Sequence, residues 1–331
     1  MKLEEQFKKW YELALKALQV EIEELRGLRP SNVFFLGLGG SGIVGDYIRV
    51  LSLNRVNVPI HVVKSLEIPK WIDDKSLVVA ISYSGDTLET IRAFEEAAQR
   101  TKRLCVVSSG GELIGKAKSL NLPHIELDKG YAPRAALPLM LFSLIKLMDA
   151  IGLSIASEDE ISESLEILKQ YDELAVQANQ IANEMANADI PVIIADVRFE
   201  PLAFRFKNDL NENAKMLARC EVIPEAMHND IVGYEGAHKP KIALILSAGD
   251  EHIYTKILEE FVKESLESLG VKTLTLKLKG SSQLAKLIHG SYMSGLISIA
   301  LAKKFGVDPH ATISISRYKE KLRELKARYL T

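Results

Sequence analysis

The chain has 331 residues, 47% hydrophobic and 26% charged, enough to bury a sizeable core in about two domains. Lys and Arg total 42 against 44 Asp and Glu, a net charge of −2, so no overall basic field points to nucleic acid or an anionic membrane. The two cysteines, Cys105 and Cys220, form no C-x-x-C pair and have no histidine nearby at metal-ligand spacing, which leaves neither a disulfide framework nor a metal centre to expect.

Residues 2–18, KLEEQFKKWYELALKAL, form an amphipathic charged helix without signal-peptide character. The longest strongly apolar stretch, AALPLMLFSLI at 135–145, is too short to span a bilayer, so a cytoplasmic protein with no membrane partner is expected. Candidate strands at 32–39, 59–65, 76–84, 103–109 and 123–128 alternate with helical runs. Apolar strands separated by helices predict a parallel sheet covered on both faces. An apolar helix at 138–151 and a charged helical bridge at 157–187 follow. The alternation then restarts: strand 190–196, helix 201–218, strand 241–249, helix 250–270, strand 272–278 and helix 282–306. Two α/β halves are predicted, 1–152 and 153–331. Residues 77–97 and 242–261 share a strand, a small-residue loop ending in Gly-Asp and an amphipathic helix, as a duplication would leave them. The first copy has Ser84 and Thr87 in its loop; the second has no equivalent.

The stretch GLGGSG at 37–42 fits the dinucleotide fingerprint G-x-G-x-x-G, after a strand and before a helix. A dinucleotide also needs an acid at the end of the second strand to take the ribose hydroxyls, and Lys64 and Ser65 stand there. The loop SYSGDT offers another ligand. Ser82, Ser84 and Thr87 lie between a buried strand and a helix whose start carries a capping-box pattern, Asp86 with Glu89. Hydroxyls and free backbone N–H groups at a helix start cradle a phosphate, though the same residues also serve in simple capping turns.

Taken in order, GLGGSGIVGD, AISYSGDTLET, YAPRAAL and FKNDLNENAKMLARCEVIPEAMHNDIVGYE resemble the motifs of the archaeal and bacterial bifunctional phosphoglucose/phosphomannose isomerases, within the sugar isomerase (SIS) domain superfamily. The resemblance runs from about residue 32 to the C-terminal helix and is strongest from NENAK to HND. It implies two SIS subdomains, each a flavodoxin-like α/β/α sandwich around a parallel sheet, in a cofactor-free homodimer. It further implies that Gly40, Ser41, Ser82, Ser84 and Thr87 hold the phosphate of glucose 6-phosphate, mannose 6-phosphate or fructose 6-phosphate. Arg134, Glu212, His228 and Lys319 would line the sugar, with Thr312 beside them and His228 reaching in from the partner subunit. Where the family often has Pro-Pro-Arg this chain has Ala132-Pro133-Arg134, and the tail matches less well than the centre.

The implied chemistry is consistent with these residue types. Aldose-ketose conversion moves a proton from carbon 2 to carbon 1 through a planar enediol, which one carboxylate, Glu212, can carry on one face if burial lifts its pKa. Arg134 would stabilise the enediolate oxygens, His228 would move protons between the ring oxygen and O1, and Lys319 would donate to the ring oxygen. The rival reading is a non-catalytic SIS module that senses a sugar phosphate; it has use for Ser82, Ser84 and Thr87 but none for NENAK followed by HND.

Overall fold

Two parallel β-sheets, of five and four strands, organise the chain in the computed structural model, which describes residues 1–329. The first half opens with helices α1 (Leu3–Lys8) and α2 (Trp10–Ala17). It continues through β1 (Asn32–Leu36), α3 (Gly39–Ser52), β2 (Ile60–Val63), β3 (Ser76–Ile81), α4 (Leu88–Ala97), β4 (Leu104–Ser108), α5 (Gly111–Ser119), β5 (His124–Glu126) and α6 (Leu137–Ala150). Helices α7 (Glu158–Leu168) and α8 (Tyr171–Met185) bridge to the second half. There follow β6 (Val192–Asp196), α9 (Glu200–Asp209), β7 (Arg219–Ile223), α10 (Asp230–Gly233), β8 (Ile242–Ser247), α11 (Ile253–Ser268), β9 (Lys272–Lys277), α12 (Gln283–Phe305) and α13 (Ile313–Tyr329).

Strand order is β2-β1-β3-β4-β5 in the first sheet and β7-β6-β8-β9 in the second. The second order is the first with its last strand missing, so β8 takes the place of β3, as the two duplicated segments anticipate. The apolar runs at 76–81 and 104–108 are buried at every position, as strands covered on both faces must be.

Strand β7 departs from the sequence expectation, which places a helix over 201–218 and no strand between it and 241. The helix in fact ends at Asp209, continues as a π-helical turn over Leu210–Ala214, and stops at Lys215 with φ of 55°. The proposed capping box at Asp86 also fails: the α4 N-cap is Thr87, and Asp86 instead accepts from the Glu112 N–H at 2.9 Å. Among the described residues, helix α12 and not the stretch at 135–145 is long and apolar enough to cross a membrane, and its apolar window is wholly buried in protein. It packs against α7, α8 and α9, and its Tyr292 stacks on Trp10 of α2 (5.0 Å between rings), which stacks in turn on Phe7 of α1 (4.7 Å). One apolar core therefore joins both halves.

Candidate active site

In an open α/β sheet, ligands gather beyond the carboxyl ends of the strands where the strand order reverses. In the first sheet that point lies between β1 and β3, and the loops leaving those strands are GLGGSG and SYSGDT. The Ser82 and Thr87 hydroxyls bond each other at 3.0 Å, Ser82 Oγ accepts from Gly85 N, and Ser84 Oγ accepts from Asp86 N at 3.4 Å. No side chain caps α4, so its first N–H groups and dipole remain directed at the loop. Gly85 cannot be replaced freely: its φ is +76°, and a Cβ there would stand 1.8 Å from the Gly110 carbonyl of the neighbouring loop.

Ser41 is buried, and its Oγ accepts the Tyr83 N–H at 3.1 Å, so this hydroxyl ties the glycine loop to the serine loop. Gly40 lies against the backbone of Pro133 and Arg134, close enough that a Cβ would crowd it at 3.3 Å. Lys64, where a dinucleotide site needs an acid, pairs with Asp46 of α3.

Arg134 sits in a turn held on three sides. The Ala132 N–H donates to Gln6 Oε1 at 2.7 Å, the Arg134 carbonyl accepts from Arg205 Nη2 at 2.7 Å, and the Ala135 carbonyl accepts from Trp10 Nε1 at 2.8 Å. The fixed backbone aims the guanidinium at the second half. Its Nε donates to Asn213 Oδ1 at 2.6 Å, Nη1 to Glu212 Oε2 at 3.2 Å, and Nη2 to the Pro309 and His310 carbonyls at 2.8 and 3.3 Å. Only 7% of the Arg134 side chain is exposed. A cation this buried needs acceptors, and four protein oxygens supply them for its five N–H groups.

Glu212 lies in the π-helical turn, a local widening of the helix often seen at functional sites. Its side chain is 29% exposed. Burial raises its carboxyl above the ordinary value; the Arg134 guanidinium opposes this and Asp209 reinforces it. Asp209 is buried, paired with Arg205 (3.3 Å) and bonded by Ser294 Oγ at 2.8 Å. Asn213, one residue beyond Glu212, is fully buried, with Nδ2 donating to Ser298 Oγ at 2.8 Å. Asn211 and Asn213 flank Glu212 alike in sequence, yet of the two Asn213 holds the guanidinium and Asn211 lines the cleft. Tyr83 was likewise missed: its hydroxyl donates to the Asp128 carbonyl (2.7 Å) and accepts the Tyr131 N–H (3.0 Å), joining the serine loop to the segment that carries Arg134.

The C-terminal segment closes the arrangement. Lys215 Nζ donates to the carbonyls of Glu212, Asp308 and Ala311, each at 2.7 Å, which fixes the lead-in to α13 beside the π-turn. Thr312 consequently shares a cleft of about 430 Å³ with Asn211, Glu212 and Lys215. Lys319, two turns along α13, shares a cleft of about 320 Å³ with Thr87, Leu88 and Glu89 at the α4 N-terminus. A chain of contacts and two clefts therefore connects nine of the ten site residues anticipated from the sequence, from the serine loop through Arg134 to Glu212. His228 stands outside it. It is exposed on the short helical turn Glu225–His228 after β7, and no hydrogen bond of the described residues links it to Glu212.

Family models match both halves: a SIS domain over residues 28–145, and a bacterial phospho-glucose isomerase C-terminal SIS domain over 175–322. A bifunctional phosphoglucose/phosphomannose isomerase of Aquifex aeolicus is 33% identical over 92% of this chain and 95% of its own length. A D-glucosamine-6-phosphate 4-epimerase of Sulfolobus acidocaldarius is 28% identical over 97% of each chain. Among solved structures, a hypothetical protein of Thermus thermophilus superposes with a TM-score of 0.79 at 17% identity, covering 97% of this chain and 91% of its own.

Proposed function

Because the chain belongs to the bifunctional phosphoglucose/phosphomannose isomerase family, we propose that it interconverts glucose 6-phosphate or mannose 6-phosphate with fructose 6-phosphate through a cis-enediol(ate). The observation that carries this reading is the Arg134–Glu212 pair, a guanidinium and a carboxylate 3.2 Å apart, tied through Gly40 and Ser41 to the serine loop ahead of the uncapped α4 start. The phosphate sits at the serine loop on Ser82, Ser84, Thr87 and the α4 N–H groups, and Lys319, on the wall of that cleft, serves as its counter-charge in place of the expected donor to the ring oxygen. Glu212 takes the proton from carbon 2 and returns it to carbon 1, and the lift that burial gives its carboxyl favours this shuttle near neutral pH. Arg134, already fixed before substrate arrives, stabilises the charge that develops on O1 and O2. Thr312 is small enough to leave room for the bond between carbons 2 and 3 to turn, so that either epimer presents its hydrogen to the same carboxylate.

His228 completes the site from a second copy of the chain, where it moves the proton between ring oxygen and O1 during ring opening. Supporting this, the segment bearing His228 packs through Met227 and Ile231 against the cluster that holds Val262 and Leu266 of α11. The outer face of α11 leaves Ile253, Tyr254, Ile257 and Phe261 more than half exposed. Mixing Glu212→Gln with His228→Ala subunits tests this. A statistical dimer mixture in which sites are shared regains about a quarter of wild-type activity, because half the dimers then contain one intact site. Sites complete within one chain regain nothing.

Likeness of sequence leaves the substrate open to a second reading, since the 4-epimerase relative acts on D-glucosamine 6-phosphate by its name. Coupled assays with glucose 6-phosphate, mannose 6-phosphate and D-glucosamine 6-phosphate, run with deuterium incorporation at carbon 1 of fructose 6-phosphate in heavy water, decide between them. A protein that binds fructose 6-phosphate yet exchanges no hydrogen is a sensor, and the isomerase assignment is then lost.

A further inference from the structure

Arg134 is gripped at both ends by one stretch of chain. Its carbonyl accepts from Arg205 Nη2 at 2.7 Å, and its Nε donates to Asn213 Oδ1 at 2.6 Å. Arg205 lies on α9 and Asn213 on the π-helical turn that continues it, so Glu212 falls between the two grips. The same stretch docks on α12 through two matched rungs. Ser294 Oγ donates to Asp209 Oδ2 and, four residues further on each side, Asn213 Nδ2 donates to Ser298 Oγ, both at 2.8 Å. Asp209 faces Arg205 from the next turn, with Oδ2 3.3 Å from Nε. A circuit therefore closes from the Arg134 carbonyl through Arg205, Asp209 and α12 to Asn213 and back to the Arg134 guanidinium.

Two features of the Arg205–Asp209 pair go beyond packing. Both side chains are only 2% exposed, a placement that stabilises a fold no better than apolar side chains of similar volume. Arg205 Nε also makes no hydrogen bond, so what binds it to Asp209 is charge alone. The guanidinium lies over the Trp10 ring, 5.6 Å from its centre, and Trp10 Nε1 holds the carbonyl of Ala135. A shift of Arg205 is thus a shift of the backbone from which the Arg134 guanidinium projects.

We propose that Arg205 and Asp209 are positioning residues for the isomerisation: they hold the main chain of Arg134 and the turn of Glu212 at one separation, and Asp209 places a fixed negative charge one turn before the base. The proposal rests on the reading of Arg134 and Glu212 as the reacting pair, and its test keeps the two apart.

The charges that act on Glu212 are Arg134 from the turn before α6, Arg205 and Asp209 from α9, and Lys215 after the π-helical turn. Helix α12 faces the stretch with the neutral hydroxyls of Ser294 and Ser298, and Asp308, ahead of α13, acts on Lys215. Asp209 raises the Glu212 carboxyl and Arg205 lowers it. Asp209→Asn removes the first influence and leaves the second unbalanced, so both changes move Glu212 down.

The experiment follows the Glu212 carboxyl by carbon NMR on the full chain labelled at its glutamate carboxyls, the signal assigned by its loss in Glu212→Gln. Alongside it, kcat and KM for glucose 6-phosphate and mannose 6-phosphate are measured across pH. In Asp209→Asn the Glu212 signal should titrate at lower pH than in wild type, and the acid limb of kcat/KM should move the same way. An unmoved signal overturns the proposal. Should Asp209→Asn not fold with Arg205 left unbalanced, Arg205→Met with Asp209→Leu replaces the pair by apolar side chains of similar volume, an exchange that commonly leaves stability unchanged or raised. Its kcat should fall about tenfold to a hundredfold, as for a misaimed donor, while KM and the melting temperature stay near wild type. A folded double variant with wild-type kcat overturns the proposal and leaves the pair as part of the core. If wild type isomerises neither aldose while the Asp209→Asn signal still shifts, the reaction assignment fails and the placement of Glu212 by Asp209 stands.

Discussion

Asn213→Ala perturbs the Arg134–Glu212 pair without touching either partner. The side chain is fully buried and makes two bonds, one to the charged Arg134 Nε at 2.6 Å and one to Ser298 Oγ at 2.8 Å. A bond to a charged group contributes about 1.5–3 kcal/mol and a neutral one about 0.5–1.5, so the loss of stability should be roughly 2–4 kcal/mol. In a chain of this size that lowers the melting temperature by roughly 3–6 °C. The larger effect is on direction. Arg134 Nη2 stays on the Pro309 and His310 carbonyls, but Nε loses its acceptor, and the guanidinium turns away from Glu212. Removing a preorganised donor outright costs about 10²–10³ in kcat; a donor left present but misaimed should cost about tenfold to a hundredfold. Arg134 also holds the Glu212 carboxyl down against burial, so its departure should move the acid limb of the kcat profile to higher pH. Affinity for inorganic phosphate, set by the other loop, should not change. Steady-state kinetics across pH beside a thermal melt and a phosphate titration give all four readouts. A stable fall in melting temperature with unchanged kcat and an unmoved acid limb refutes the reasoning, because Asn213 would then be a core residue and nothing more.

Glu212→Gln should abolish activity on both aldoses to a similar extent, roughly a thousandfold or more, within the range for a lost general base; retention of one activity alone refutes the single-base mechanism. Because burial raises the Glu212 carboxyl, wild-type kcat/KM should fall with acidification at a pH above the ordinary carboxylate value, as a pH profile will record. Gly85→Ala should lower both the melting temperature and phosphate affinity, since the new methyl group meets the Gly110 carbonyl; an unaltered titration means that the two loops separate freely. Glu259 is driven up to about 7 by burial and by Glu251, so it binds a proton more tightly folded than unfolded. Between the ordinary carboxylate value and about 7 the folded state gains relative stability from that proton, and it loses the gain as pH rises through 7. Glu259→Gln should therefore stabilise at pH about 8, by about 1 kcal/mol after allowance for partial exposure, and not at pH about 5; an equal effect at both refutes the assignment.

Strands covered on both faces were legible because they read as continuous apolar runs, 76–81 and 104–108 above all. Strand β7 was not, because RCEVI mixes polar and apolar residues at a sheet edge, and one of its two buried residues is a glutamate. Glu221 is buried only because the Tyr234 hydroxyl lies 2.8 Å from both its oxygens and Arg219 pairs with it, partners that local periodicity cannot supply. The Glu212 turn was read as ordinary helix for a related reason: its π-helical widening is set by Lys215 and the three carbonyls it gathers, two of them over ninety residues away. Asn211 and Asn213 flank Glu212 symmetrically in sequence, and only the packing of α12 buries one and leaves the other at the cleft. Thr312 and Lys319, the poorest matches in the tail, reach the two clefts because that tail folds back over both halves.

The clamp on Arg134 has a consequence for the nascent chain. Gln6 and Trp10, which grip the turn at Ala132 and Ala135, leave the ribosome before that turn, yet the helix they rest on comes much later; the Tyr292 hydroxyl and the Phe7 carbonyl it bonds are 285 residues apart. The bonds that shape the serine loop lie within residues 41–131 and form early. A partly synthesised chain should thus be able to take up phosphate while its guanidinium is still unaimed, and the capacity for chemistry arrives only with the last helices. The same order runs backwards on heating: a molecule that loosens where its beginning meets its end becomes a binder before it becomes a coil.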